Sequence, residues 1–116
     1  MDHLRVSDHM QSPGFRFASD GPNSGEEFRQ SVLAPALRSA IARGSQLEVE
    51  LDGVSGYGSS FLEEAFGGLI RKRLFTREQL NRHLRIVARQ PLFRPYQLLA
   101  GDFINRAKPE PETAAA

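Results

Sequence analysis

The chain has no cysteine and no tryptophan. Without thiols there is no disulfide framework, no cysteine-based zinc finger, no thiol redox pair and no cysteine nucleophile, and a reducing, cytoplasmic setting is the expectation. No apolar run approaches the roughly 20 residues of a membrane-spanning helix. The first residues also lack the basic-then-apolar order of a secretion signal, so no membrane partner is expected. Net charge is nearly missing too, at +1 from 15 Lys and Arg against 14 Asp and Glu. The charges are nonetheless sorted along the chain: residues 1–70 carry 5 basic and 10 acidic side chains, residues 71–116 carry 10 and 4. What is present is a chain of 116 residues, 40% hydrophobic, which is long enough to build one core without metal or disulfide staples. A single domain is expected over residues 1–107. From Lys108 the sequence Lys-Pro-Glu-Pro-Glu-Thr-Ala-Ala-Ala has almost nothing to bury and is expected to be a disordered tail over 108–116.

Patterning gives an order of elements. Leu4 and Val6 alternate around Arg5, and Phe15 and Phe17 around Arg16, with Ser12-Pro13-Gly14 between them; a hairpin is the simplest reading. Ser24-x-x-Glu27 has capping-box spacing and opens a helix whose apolar stripe runs through Phe28, Val32, Ala36 and Ala40, with Leu33, Leu37 and Ile41 alongside. Pro35 should kink that helix or split it in two before Gly44 ends it. Leu47, Val49 and Leu51 alternate with polar residues as a strand with one buried face, and three glycines within Gly53–Gly58 then predict a tight turn. Ser60-x-x-Glu63 opens a second amphipathic helix, acidic at its start and basic at its end (Arg71, Lys72, Arg73), as the helix dipole favours. Gly67 and Gly68 within it point to close packing on a sheet or to a break. Thr76-x-x-Gln79 caps a short helix, residues 83–88 alternate as another strand, and Pro95 begins a final helix. The sum is an α/β domain with a small mixed sheet flanked by helices.

The most informative segment is the strand, Gly-Ser turn and helix between Leu47 and Leu69. A turn of this kind gathers backbone amides and hydroxyls at one end of a sheet, where an anion is favoured. Ser60, and secondarily Ser59, therefore read either as a phosphorylatable switch or simply as an N-cap and a turn residue. Glu63 and Glu64 one turn on would repel a phosphate.

The run Leu51-Asp52-Gly53-Val54-Ser55-Gly56-Tyr57-Gly58-Ser59-Ser60-Phe61-Leu62-Glu63-Glu64-Ala65-Phe66-Gly67-Gly68-Leu69 resembles the signature of STAS domains, the anti-sigma factor antagonist fold. It is most similar to the bacterial family of STAS-like domains of unknown function. The helix start Gly25-Glu26-Glu27-Phe28-Arg29 is similar as well, so the likeness extends over residues 14–90. It implies a sheet of four to five strands flanked by helices, and an adaptor rather than an enzyme. Antagonists of this fold bind a serine kinase of the histidine-kinase ATPase type, which phosphorylates the second serine of an Asp-Ser-Ser-Gly motif. That serine corresponds to Ser60. Gly58 stands where the motif has Asp and Phe61 where it has Gly, so the likeness supports protein binding through Gly56, Tyr57, Gly58, Phe61 and Glu64 better than phosphate transfer.

A second reading uses the basic segment 71–94, with Arg71, Lys72, Arg73, Arg77, Arg82, Arg85, Arg89 and Arg94 against the single acid Glu78, as a nucleic-acid surface. No nucleic-acid fold motif accompanies it, and a solvated basic face is the simpler expectation. The histidines His3, His9 and His83 lack metal-site spacing. No Gly-Lys-Ser/Thr or Gly-x-Gly-x-x-Gly is present, and no nucleophile, base and orienter are brought together by spacing. Neither a metal, a cofactor nor catalysis is expected.

Overall fold

The computed structural model describes residues 1–111 and contains three strands, β1 (Asp2–Arg5), β2 (Leu47–Glu50) and β3 (Leu84–Val87). All pair in parallel in the order β1-β2-β3, with Leu4 level with Val49 and Val49 level with Ile86. The sheet among the described residues is thus three-stranded and purely parallel, where a mixed sheet of four to five strands was expected. The predicted hairpin does not form. After β1 the chain enters a single 3₁₀ turn, Val6–Asp8, and the second half of the predicted hairpin is used elsewhere. The carbonyls of Phe15 and Arg16 accept from the amides of Gly25 and Glu26 at 2.8 and 3.0 Å, satisfying the free donors of a helix start rather than extending a ladder.

That helix, α1, runs continuously over residues 25–42. Ser24 caps it as predicted, its buried hydroxyl accepting from the Glu27 amide at 3.0 Å. Pro35 neither splits nor ends it, because a π-helical turn over Arg29–Leu33, closed by Ala34 N–H to the Arg29 carbonyl, precedes the proline. A wide turn accommodates the missing donor. The extra residue also moves the buried stripe. It passes from Phe28 to Leu33, Leu37 and Ala40, not through Val32 and Ala36 as a strict four-residue spacing predicts.

Helix α2 spans residues 59–71 and has its own π-helical turn, Glu63–Gly67, facing that of α1. A Cβ on Gly68 would strike the Arg29 guanidinium, and one on Gly67 would meet the Glu63 carboxylate at 2.7 Å. The glycine pair therefore serves close packing, as expected, but not against a sheet: Gly68 makes room for the Arg29 side chain of α1, and Gly67 for Glu63 of its own helix. Helix α3 (Arg77–His83) has the predicted Thr76/Gln79 capping box, and α4 (Arg94–Arg106) starts with Pro95 in its first turn. The segment from Lys108 is tied down at Glu110, whose amide donates to the Arg71 carbonyl at 2.8 Å and whose carboxylate pairs with Lys72 at 2.9 Å. The order-free tail expected from Lys108 is thus anchored at its beginning. Its end, residues 112–116, lies outside the described residues.

Strands in sequential order joined by right-handed crossovers send every connection over the same side of a sheet. The helices accordingly cover one face, where Leu4, Leu47, Val49 and Leu51 meet Phe28, Leu37, Phe61, Phe66 and Leu69. The other face is bare and charged. Its ion pairs run across the strands: His3 to Glu48 at 2.9 Å, Arg5 to Glu50 at 3.1 Å, and Arg89 to Glu50 and Glu48 at 2.5 and 3.2 Å. Burial alone would raise the Glu48 carboxyl. The Arg89 and His3 hydrogen bonds and charges outweigh it and hold the group below its ordinary value.

Candidate docking surface at the rim of the sheet

The loops leaving the carboxyl ends of the three strands meet and are tied to one another. Asp52, nearly buried, accepts from the amides of Arg89 and Gln90 at 2.9 and 3.0 Å, joining the end of β2 to the end of β3. Residues 11–14, from the loop after β1, lie along the Gly-Ser turn: Ser55 N–H donates to the Gln11 carbonyl at 2.8 Å and Gly58 N–H to the Pro13 carbonyl at 2.9 Å. Gly53 has φ +88°, a conformation that favours glycine. Gly58 has an ordinary φ and is required for a different reason: a Cβ there would lie 2.5 Å from the Gly14 carbonyl oxygen.

The serines sit at the edge of this rim. Ser59 is exposed and Ser60 half-buried, and neither hydroxyl is hydrogen-bonded to a described residue. Helix α2 begins one residue before the predicted cap. Gly58 occupies the N-cap, and Ser60, already in the first turn, caps nothing. Ser60-x-x-Glu63 is therefore not a capping box, because Glu63 is held instead by Arg16 and Arg71.

Three of the five residues expected to touch a partner are placed elsewhere. Phe61 is fully buried among the rings of Phe28 and Tyr57. Tyr57 is also buried; its hydroxyl donates to the Leu51 carbonyl at 2.7 Å, and its ring stands against Phe93 and Tyr96. Burial first, and the Asp52 charge second, push that hydroxyl well above the usual tyrosine range. Glu64 is buried beside the equally buried Arg29, 2.5 Å away, and also pairs with Arg71 at 3.0 Å. These three support the rim from beneath. Gly56 and Gly58 remain partly open.

Sequence reading missed two exposed aromatics of the loop that follows β1. Phe15 and Phe17 are 46% and 43% exposed; Gly14 just before them packs on Gly58 just before Ser59, and Arg16 between the two rings pairs with Glu63 of α2. Taking Phe15 and Phe17 as strand residues hid them. The only available signal was the Ser12-Pro13-Gly14 turn before them.

The basic segment 71–94 does not form one face of free cations. Arg71 is engaged by Glu63 and Glu64, Lys72 by Glu110, and Arg89 by Glu48 and Glu50. Arg77 caps the end of α4, donating to the Ala107 carbonyl at 2.6 Å, while Arg82 lies 3.6 Å from Glu78. The His83 ring binds the Ser45 carbonyl at 2.7 Å. Arg85 and Arg94 are exposed. Among the described residues there is no cluster of three His, Asp or Glu fit to hold a metal ion, and no helix is long and apolar enough to cross a membrane.

A family model described as a STAS-like domain of unknown function matches residues 24–91. No curated protein and no solved structure matches the chain. The matched span runs from the α1 cap through β3 to Pro91, and leaves β1, the loop carrying Phe15 and Phe17, and α4 outside it.

Proposed function

The chain belongs to the family of STAS-like domains of unknown function, which suggests a regulatory role, and from that premise we propose that it is a non-enzymatic adaptor that docks a protein partner at the rim of its sheet. The observation that carries the reading is the pairing of accessible serines with exposed aromatics on a rigid base. Ser59 and Ser60 have uncommitted hydroxyls, Phe15 and Phe17 are exposed on the loop whose Gly14 packs on Gly58 just before those serines, and three interlocked loops hold the rim together. Aromatic anchors beside polar groups are the composition of an interface centre. Sequential strand order also supports docking over catalysis, since the sheet has no reversal at which an α/β crevice opens.

The partner is a kinase-type ATPase of the histidine-kinase fold, and Ser60 is the switch, with Ser59 the lesser acceptor. Glu63 and Glu64 do not oppose a phosphate at Ser60 as their sequence position suggests. Arg16, Arg29 and Arg71 surround the two carboxylates, so three positive groups face two negative ones and the local charge favours an anion. Incubation with the host's histidine-kinase-type ATPases and ATP, followed by mass-spectrometric mapping, should place phosphate on Ser60, and Ser60→Ala should abolish it. Complex formation without phosphate transfer keeps the adaptor and removes the switch. If no such ATPase binds, or if Phe17→Ser binds as well as the parent, the rim is not the docking surface.

The nucleic-acid reading has less behind it. Its cations are distributed over several faces and mostly engaged by acids or carbonyls, whereas phosphate contacts need them free and aligned. Binding to DNA or RNA that falls steeply with salt would revive it.

A further inference from the structure

The two outer edges of the sheet are unlike. On β1 three of four residues are ionic or polar, Asp2, His3 and Arg5, and all three are held in cross-strand or helix ion pairs. A short, charged strand is how proteins guard an edge against pairing. On β3 three of four are aliphatic, Leu84, Ile86 and Val87, each half-buried only. A groove runs beside this edge between β3 and α4, lined by Leu84, Ile86, Leu98, Gly101 and Asp102. Leu98 in its wall is 71% exposed, on the side of a helix that packs mainly against α2 and, of the sheet, against β3.

Backbone direction fixes what this edge can bind. The Val87 carbonyl accepts from the Leu51 amide at 3.0 Å, so Val87 and, two residues earlier, Arg85 turn their peptide groups toward β2. Ile86 and the Leu84 carbonyl then face outward, the Leu84 amide being taken by the Leu80 carbonyl at the end of α3.

We infer that the β3 edge and the α4 groove bind a second copy of this chain, β3 against β3 in antiparallel register about a two-fold axis at Ile86. The edge is self-complementary in that register. Ile86 meets Ile86 of the other copy as a narrow hydrogen-bonded pair, and each Leu84 carbonyl meets the other copy's Ala88 amide. Arg85 falls opposite the other copy's Val87, not opposite its own counterpart, so like charges are kept apart; centring the axis one residue earlier would set the two arginines face to face. Because all helices lie on one side of the sheet, the two α4 helices meet over the join, and the Leu98 side chains fill the groove between them. An isologous contact of this kind closes on itself as a dimer and joins two sheets into one of six strands. It uses the outer edge of β3 and the Leu98 side of α4, not the serines, and does not rest on that reading.

Sedimentation equilibrium of the full chain over the micromolar range tests it. The expected result is a doubling of the 12.9 kDa chain mass, with return to the single mass in Leu98→Glu, whose exposed position leaves the fold undisturbed, and in Ile86→Pro, whose lost N–H served no bond within the chain. Circular dichroism of each variant shows that it is folded. Phe17→Ser, at the rim, should remain a dimer. A single mass throughout would overturn the inference and leave the groove to a strand of an unlike protein; so would a dimer that either β3-side variant leaves intact.

Discussion

Helices α1 and α2 begin with the same four-residue signal and end up using it differently. Ser24-x-x-Glu27 and Ser60-x-x-Glu63 both have capping-box spacing. Ser24 is fully buried, with its hydroxyl bonded to the Glu27 amide. Ser60 sits inside the first turn with its hydroxyl unbonded, because Gly58 takes the N-cap place and Glu63 is drawn sideways to Arg16 and Arg71. A serine that caps a helix is sealed by that role. One displaced from it stays available to a partner. The difference arises from Gly14, which presses on Gly58 so closely that only glycine fits there.

The largest break in this contrast comes from the ion pair that joins the two helices. Arg29→Met leaves Glu64 buried with only Arg71 and Arg16 near it, and unfolding in urea should show a loss of about 3 kcal/mol. Adding Glu64→Leu should restore most of the loss, since the charge that lacked a partner is then gone. Gly58→Ala comes next. Its Cβ meets backbone, not a flexible side-chain end, so the loop after β1 must move, and a destabilisation of about 1–3 kcal/mol is expected. The two serines then separate cleanly in the same assay: Ser24→Ala should cost about 1 kcal/mol for a lost cap, and Ser60→Ala less than about 0.5 kcal/mol, as for a surface change. Equal losses would mean that Ser60 caps after all.

The smallest effect lies on the bare face. The folded Glu48 carboxyl is held below its ordinary value of 4.5, so its contribution is present above that value and is lost as pH falls through the lower folded one. Acid titration of stability should therefore be shallower in Glu48→Gln than in the parent below about pH 4.5, and unchanged at neutral pH in its slope.

Elements that rest on local chemistry were legible in the sequence. The Ser24 and Thr76 caps, the alternation of β2 and β3 and the proline-started α4 all appear where spacing puts them. What was misread depended on contacts distant in sequence. Phe15–Phe17 alternates like a strand, yet its carbonyls are claimed by a helix start ten residues on. Glu64 was expected to face a partner, yet it is buried against Arg29 of α1, each residue lying in a π-helical turn. Tyr57 and Phe61, expected on the rim, form its support.

Composition and periodicity by themselves determined that the fold is of the α/β class and where most of its helices and strands lie, because caps, turns and amphipathic faces are set by neighbours within a few residues. Tertiary structure alone decided that the sheet is parallel with one bare face, that Ser59 and Ser60 remain open while Tyr57 and Glu64 do not, and that β3 is an unguarded edge. Each of those depends on which distant backbone group reaches a donor or acceptor first, and no local pattern encodes that competition.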